Sequence, residues 1–332
     1  MSRRSLHVLR DAVTPRVAAF VLCALLPAFG LCAASPAHAQ APKAPQAPAA
    51  RTLPDTTTVY LLGTGTPVAI HDAQGPATAV AAGGRLFVFD AGPGVVRQME
   101  AAGLPYRKGP ITALFLTHLH SDHTLGLPDA IFTTWVMGRD TPMRVIGPPG
   151  TQWMCDRLVD AWREDIAVRT EGLERGTPGG WRVNVSEVKS GVVYDSAGVT
   201  IRAIPVLHGN WEHALAYRID APGKSIVISG DTAPCPAVEE AARGVDLLIH
   251  EVYPESRLVP ENRPGGDDWP KYMRAFHTSD RELGAIAARA KPRTLVLYHI
   301  VRMRGTDAEL FQGVRAGGFT GDVVVGRDLD RY

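Results

Sequence analysis

The sequence predicts an α/β fold, and three observations carry that expectation. Short, mostly apolar runs of strand character alternate with segments of helical spacing along most of the chain. Residue types able to bind a metal recur where such runs end: His118, His120, Asp122 and His123 together, then His208, Asp231 and His299. The composition, 45% hydrophobic and 21% charged over 332 residues, is that of an ordinary globular protein long enough to bury a sizeable core.

The amino-terminal residues stand apart from this pattern. Arg3, Arg4 and Arg10 precede an apolar run from Val17 to about Leu31, and Ala37-His38-Ala39 follows. A basic region, a hydrophobic region and an A-x-A site in that order are expected of a secretory signal peptide over residues 1–39, cleaved after Ala39. The run is short for a membrane span of ~20 residues, and Pro27 and Gly30 interrupt it. The Arg3-Arg4 pair keeps a twin-arginine route open beside the general secretory one. Residues 40–56 read as an alanine- and proline-rich linker, and a single domain is expected over 57–332. The leader carries four arginines and one aspartate, so of 35 basic and 34 acidic residues the mature chain keeps 31 and 33. A net charge near −2 offers no global attraction to a phosphate backbone. The expectation is therefore an exported, periplasmic or secreted protein with no membrane contact after cleavage and no nucleic-acid partner; a homodimer stays open. An oxidising compartment would permit Cys155 and Cys235 to pair, with a buried free thiol as the alternative.

In chain order, Thr57 to Leu62 reads as a strand ending in Gly63-Thr64-Gly65-Thr66-Pro67. That spacing is neither G-x-G-x-x-G nor a P-loop, so the turn is read as a close backbone passage beside the site. Ala77 to Ala82 and Arg85 to Asp90 flank Gly83-Gly84, a hairpin signal; Asp90 is expected to hold the neighbouring loop by hydrogen bonds. Ile111 to Leu116 is a short buried strand. Helices are expected over Gly94 to Ala102, Asp129 to Gly138 and Thr151 to Ala167, the last with Trp153, Leu158 and Trp162 in the core. Strands follow at Met143 to Ile146, Trp181 to Val188, Gly191 to Asp195, Val199 to Pro205, Ala214 to Ile219, Lys224 to Ser229 and Asp246 to Ile249. Helices at Ala237 to Arg243, Asp280 to Ala290 (capped by Ser279) and Asp307 to Ala316 alternate with strands at Arg293 to Leu297 and Asp322 to Val325. Val252 to Phe276 reads as a long irregular segment.

The chemistry concentrates in Thr117 to Asp129, THLHSDHTLGLPD. His118, His120, Asp122 and His123 stand within six residues at the end of a strand, and without a cation such groups repel or go unsatisfied. The run HLHSDH resembles the signature of the metallo-β-lactamase superfamily. With LLGTGTP (Leu61 to Pro67), FVFDAGPG (Phe87 to Gly94), SGDT (Ser229 to Thr232) and LIHE (Leu248 to Glu251) in that order, most of residues 57 to 332 resembles its ribonuclease Z and arylsulfatase-like branch.

The resemblance implies an αβ/βα four-layer sandwich, two facing mixed sheets with helices outside. It also implies two divalent metal ions, zinc first, with manganese or iron as alternatives. His118, His120 and His208 would hold one ion and Asp122, His123 and His299 the other, with Asp231 bridging. His213 is the rival of His208. Asp122, itself a ligand, is counted with His277 and Glu251 as catalytic. His277 would protonate the leaving group and Glu251 would orient it, with His250 as competitor for either part.

Relatives that process transfer RNA carry a long basic arm between their third and fourth metal motifs. Here only a hairpin, NWEHALAYRIDAPGKSIVIS, lies between His208 and Asp231, carrying two basic residues. With the charge and the leader, this favours a metal-dependent hydrolase of a small phosphodiester or sulfate ester. The alternatives are a lactonase or β-lactamase-type hydrolase of a C–O or C–N bond, and a non-catalytic periplasmic metal-binding protein. Trp269, Tyr272 and Phe276 would wall a small-molecule pocket or staple their loop to the body.

Overall fold

The computed structural model describes residues 52–332 other than Pro110 and residues 262–267. The expected signal peptide and nearly all of the linker lie outside the described residues. One sheet takes its strands in sequence order: β1 (Thr58–Gly63), β2 (Ala77–Ala82), β3 (Arg85–Phe89), β4 (Ile111–Phe115), β5 (Met143–Gly147) and β6 (Val183–Glu187). Its first three strands are antiparallel and β3 to β6 are parallel. The second sheet runs from β7 (Gly191–Ser196) through β8 (Val199–His208), β9 (Trp211–Ala221), β10 (Lys224–Ile228), β11 (Leu247–Val252) and β12 (Thr294–Ile300) to β13 (Asp322–Val325). There β7 to β10 are antiparallel and β10 to β13 parallel.

Alternation along the strands sends side chains to both faces of each sheet, and both faces are apolar. Leu61, Phe87, Phe89 and Phe115 meet Leu215, Tyr217, Ile249 and Tyr298 between the sheets. Phe89 stacks on Phe115 at 4.9 Å, and the Tyr217 hydroxyl crosses to donate to the Leu116 carbonyl at 2.8 Å. On the outside of the first sheet lie α1 (Val95–Ala101), α3 (Leu127–Val136) and α4 (Thr151–Ala161), burying Met99, Leu127, Ile131 and Cys155, while the single turn α2 (Ser121–Thr124) carries Asp122 and His123. The second sheet is covered by α6 (Pro236–Ala241), α8 (Asp280–Ala290) and α9 (Asp307–Ala316), through Val238, Leu283, Ala287, Leu310 and Val314. The chain therefore forms the αβ/βα sandwich that the resemblance implies. Among the described residues no helix is long and apolar enough to cross a membrane.

Several local expectations give way. The helix expected over Thr151 to Ala167 breaks at Trp162 into α4 and α5 (Arg163–Glu171). Its buried face carries Thr151 and Cys155, four apart, so Trp153 points the other way and is 70% exposed, and Trp162, expected in the core as well, is exposed at the break with one face on Phe132. Cys155 and Cys235 are free and lie in the cores outside different sheets, so they do not pair. The segment expected to be irregular from Val252 contains a short 3-10 turn (Glu255–Arg257) and α7 (Trp269–Phe276). The Asp268 side chain caps α7 by accepting from the Lys271 N–H at 3.2 Å, and Pro270 sits in its first turn, where no N–H is needed.

The ends of the strands place the chemistry. His118 follows β4, Asp231 follows β10, Glu251 lies at the end of β11 and His299 near the end of β12. β8 runs beyond the expected Pro205 to deliver His208. Gly230 lets the Asp231 turn sit against the histidine run: its φ is 58°, and a Cβ there would lie 2.8 Å from the Cβ of Thr117.

Candidate metal centre

Hydrogen bonds fix the histidine tautomers one at a time. The Thr117 N–H and hydroxyl both donate to Asp90, at 2.8 and 2.9 Å. With that hydroxyl proton committed, the 3.0 Å contact between Thr117 Oγ1 and His118 Nδ1 has the imidazole donating. His118 Nε2 is therefore left with a lone pair. His123 Nδ1 donates to Asp90 at 2.8 Å, and His208 Nδ1 donates to the Phe276 carbonyl at 2.8 Å. The Nε2 atom of His208 is likewise free to bind a cation; at His123, Asp231 and Asp90 outweigh burial and raise the imidazole well above its ordinary value, so an ion there would take the place of the Nε2 proton, and both rings are oriented from behind.

Those lone pairs converge. His120 Nδ1 lies 2.9 Å from His118 Nε2 and 3.1 Å from His208 Nε2. Asp231 reaches across, with Oδ2 at 3.9 Å from His118 Nε2 and Oδ1 at 3.4 Å from His123 Nε2 and 3.5 Å from His299 Nδ1. Asp122 Oδ2 is 3.2 Å from His299 Nε2 and 3.6 Å from His123 Nε2. One set able to hold an ion is thus His118, His120, His208 and Asp231; the other is Asp122, His123 and His299, with Asp231 alongside.

Two of these side chains are delivered by irregular backbone. In the β11–β12 ladder Glu251 pairs with Tyr298 and Val252 with Ile300, leaving His299 as the extra residue of a bulge with φ of 42°. A similar shift falls between Val206 and His208 in β8. A left-handed non-glycine residue costs about 1–3 kcal/mol and persists where surrounding structure demands it.

The donor set fits a divalent cation. His123 Nε2, Asp231 Oδ1 and His299 Nδ1 are buried and make no hydrogen bond. Each such atom left unsatisfied costs about 1–3 kcal/mol, and an ion between them would satisfy all three. Burial pushes the His208 imidazole down to about 4, and burial together with the neighbouring His123 lowers His118 well below its ordinary value. Both are therefore neutral, the ligand form, at neutral pH. Burial works against ionisation of Asp231, but His299 and His123 overcome it and hold the carboxyl well below the usual range.

Beside this cluster stands a second arrangement. His277 follows α7, just before Ser279 caps α8, and its Nδ1 donates to buried Glu251 at 3.1 Å. Glu251 also accepts from the Thr232 N–H at 3.0 Å. Burial opposes protonation of His277, but the Glu251 carboxylate outweighs it and the imidazole is raised above its ordinary value. His277 Nδ1 is 3.9 Å from Asp231 Oδ2, which puts the pair at the edge of the metal-binding groups.

The structure brings together all the residues singled out in the sequence: His118, His120, Asp122, His123, His208, Asp231 and His299, with His277 and Glu251 adjoining. The rivals stand aside. His213 faces Glu212 at 3.5 Å, and His250 donates to the Glu251 carbonyl at 2.7 Å. Asp90 holds the neighbouring loop by hydrogen bonds as the sequence led one to expect, taking both Thr117 donors and His123 Nδ1; only its choice of His123 as a partner had no sequence signal. The Phe276 carbonyl has no sequence signal at all. Trp211, whose indole N–H lies 2.7 Å from His120 Nε2, was also missed.

Paired histidine and aspartate clusters at the strand ends of a four-layer sandwich define a metal-dependent hydrolase of the metallo-β-lactamase class. Comparison with known proteins agrees: the family described as the beta-lactamase superfamily domain matches residues 85–300. The chain is 36% identical over 280 residues to a ribonuclease Z of Mycobacterium bovis, covering 82% of this chain and 96% of that protein. It is 36% identical over 282 residues to the ribonuclease Z of Mycobacterium marinum, covering 82% and 97%. Among solved structures it superposes on a metallo-beta-lactamase fold protein from Bacillus subtilis, with TM-score 0.64 and 17% identity over 84% of this chain and 99% of that one. Human tRNase Z, short form, gives TM-score 0.61 and 20% identity over 83% and 98%. The chain belongs to the metallo-β-lactamase superfamily, in its ribonuclease Z branch.

These relatives correct two expectations. The expectation of a small phosphodiester or sulfate ester, with its lactone, β-lactam and non-catalytic alternatives, is overturned by relatives that are named for a nucleic-acid substrate, ribonuclease Z. The expected absence of a nucleic-acid partner falls with it. The hairpin between His208 and Asp231 is as short as expected, β9 turning into β10 through Pro222-Gly223. Net charge is a poor guide here because it averages the whole surface and says nothing of the one edge that holds the site. Near that edge Lys271 and Arg274 are exposed on α7, which leads into His277, and Arg304 is exposed just beyond His299.

Proposed function

We propose that the chain is an RNA phosphodiesterase of ribonuclease Z type that works with two divalent ions, zinc first. His118, His120 and His208 would hold one ion and Asp122, His123 and His299 the other, with Asp231 available to both. The observation that carries this reading is the Glu251–His277 pair set beside the metal-binding groups, in a chain alike to a ribonuclease Z over 82% of its own length and 96% of that protein's. The ions, when bound, supply Lewis acidity toward the phosphoryl oxygens and lower the pKa of water towards neutrality.

The chain's own residues do the rest. Glu251 takes the Nδ1 proton of His277 in a hydrogen bond, which leaves Nε2 to carry the proton given up to the departing ribose oxygen. Asp90 and the Phe276 carbonyl keep His123 and His208 turned towards the ions. Lys271, Arg274 and Arg304 contact the RNA backbone. Their two segments are held together by one apolar cluster, with Trp269 and Met273 of α7 packed against Met303.

The test is to incubate the zinc-loaded chain with a structured precursor RNA and with DNA of the same sequence. RNA should be cleaved with no 2′,3′-cyclic phosphate on the products, since water and not the 2′-hydroxyl attacks. RNA turnover no greater than that of the His118→Ala chain would overturn the reading. Alanine at Lys271, Arg274 or Arg304 should weaken RNA binding similarly for all sequences. Each should reduce the salt dependence of binding by about one phosphate contact, a slope change of roughly 0.7 for a single strand. Titration of RNA binding against salt measures it.

We further propose that residues 1–39 direct export. The basic, apolar and A-x-A regions in sequence support this. The mature protein should then begin at Gln40 and meet RNA outside the cytoplasm. Amino-terminal sequencing of fractionated cells checks it: a cytoplasmic chain still beginning with the leader would contradict it.

A further inference from the structure

The carboxylate of Asp328 has all its acceptor positions filled, and none of its partners is near it in sequence. Oδ1 accepts from the N–H and the hydroxyl of Thr64, both at 2.8 Å. Oδ2 accepts from the Gln74 N–H at 2.7 Å and from Gln98 Nε2 at 2.9 Å. One side chain thus clamps both ends of the segment joining β1 to β2, together with α1. The carboxy-terminal tail delivers it, leaving β13 and returning along β1. There Val59 and Leu61 share backbone hydrogen bonds of 2.7 to 3.0 Å with Leu329, Asp330 and Tyr332. Since β1 and β3 each run antiparallel to β2, they point the same way, and the clamp stands at the edge of the sheet that holds the site.

From Gln74 a stack of backbone leads to the metal-binding turn. The Gly75 N–H donates to the Pro93 carbonyl at 3.1 Å, the Gly92 N–H to the Pro76 carbonyl at 3.0 Å and the Ala91 N–H to the His123 carbonyl at 2.8 Å. The layers touch without slack. A Cβ on Gly92 would lie 2.3 Å from the Gly75 carbonyl carbon on one side and 2.7 Å from the Asp122 carbonyl oxygen on the other. One on Gly126 would lie 2.2 Å from the Gly92 carbonyl oxygen. Close-packed groups of this kind pass a displacement on. The turn at the end of the stack cannot hold itself: α2 is four residues long, too short to be stable alone, and no side chain caps it. We propose that Asp328 is a positioning residue for Asp122 and His123: by fixing Gln74 it holds the stack of backbone that sets where these two metal-binding side chains stand. It touches neither ion nor substrate. The other set draws on His118, after β4, and on His208 and Asp231 from the strand ends of the second sheet, outside the stack.

The inference rests on the metal reading above and is tested through zinc affinity, apart from turnover. Asp328→Asn keeps the volume but turns one acceptor into a donor, which faces a backbone N–H, of Thr64 or of Gln74, in either orientation. It is placed in two full-length chains. His208→Ala keeps Asp122, His123 and His299 with Asp231, and His299→Ala keeps the other set. Zinc affinity should fall about 10-fold in the first chain and stay within about two-fold in the second, the former being the low end of what lost support behind a metal ligand costs. Asp246→Asn is the control: its carboxylate accepts from the Ser225 N–H and hydroxyl, at 2.8 and 2.9 Å, at the start of β10 and away from the site. It should change neither affinity. Unchanged zinc affinity on replacing Asp328, or an equal loss in both chains, would overturn the inference while leaving the metal reading intact. No zinc bound by either chain before Asp328 is replaced would overturn both. Should Asp328→Asn not fold, Gln98→Leu, which removes one of the four donors, decides by the same comparison.

Discussion

Replacing His277 with alanine should lower RNA cleavage by about 10²–10⁴-fold while leaving hydrolysis of bis(p-nitrophenyl) phosphate, used as a chromogenic probe, within a few-fold of wild type. The two substrates differ in what leaves. A ribose oxygen departs as a strongly basic alkoxide and needs a proton in the transition state, whereas p-nitrophenolate departs without one. His277 is held for that task by Glu251 at 3.1 Å and is raised above its ordinary pKa by that carboxylate against the opposing effect of burial. Glu251→Gln keeps the shape and loses the charge, so its RNA defect should be smaller than that of His277→Ala. Turnover of both substrates by the two variants is the measurement. An equal loss on both substrates would mean that His277 supports the site as a whole instead of donating a proton.

Asp231→Asn should abolish RNA cleavage, a loss of at least about 10³-fold, and release metal from the purified chain. The carboxylate reaches both sets of groups: its two oxygens face His118 on one side and His123 and His299 on the other. The amide offers one neutral acceptor where the carboxylate offered two oxygens sharing a charge, so neither of the two proposed ions would keep its full set. Metal analysis after dialysis, beside turnover, checks this. A variant that retained two ions per chain and normal turnover would refute the shared-ligand assignment.

Much of this arrangement could be read from the amino acids because its parts are local. HLHSDH packs four ligand types into six residues at a strand end, and no fold knowledge is needed to see them as a cluster. His208, Asp231 and His299 were placed only through motif order, because what brings them to the cluster is sheet register. The bulge that re-aims His299 and the shift ahead of His208 leave no trace in composition. The same holds for a backbone carbonyl such as that of Phe276, which any residue could supply. Helix α7 was hidden by the Gly and Pro residues before it, while its cap, Asp268 with Pro270 two residues on, was legible and overlooked. Trp153 and Trp162 show the opposite failure: large apolar side chains at roughly helical spacing are expected in the core, yet the face set by Thr151 and Cys155 and the break at Trp162 leave both of them exposed. The substrate was misjudged from net charge, a sum that carries no information about where the charges lie.

The most direct test follows RNA turnover as zinc is added back to the metal-stripped chain. The account predicts no cleavage at the start and full cleavage once two equivalents are bound, with loss again on chelation. Cleavage by the stripped chain equal to that of the reconstituted one would show that the converging histidines and aspartates serve some other purpose.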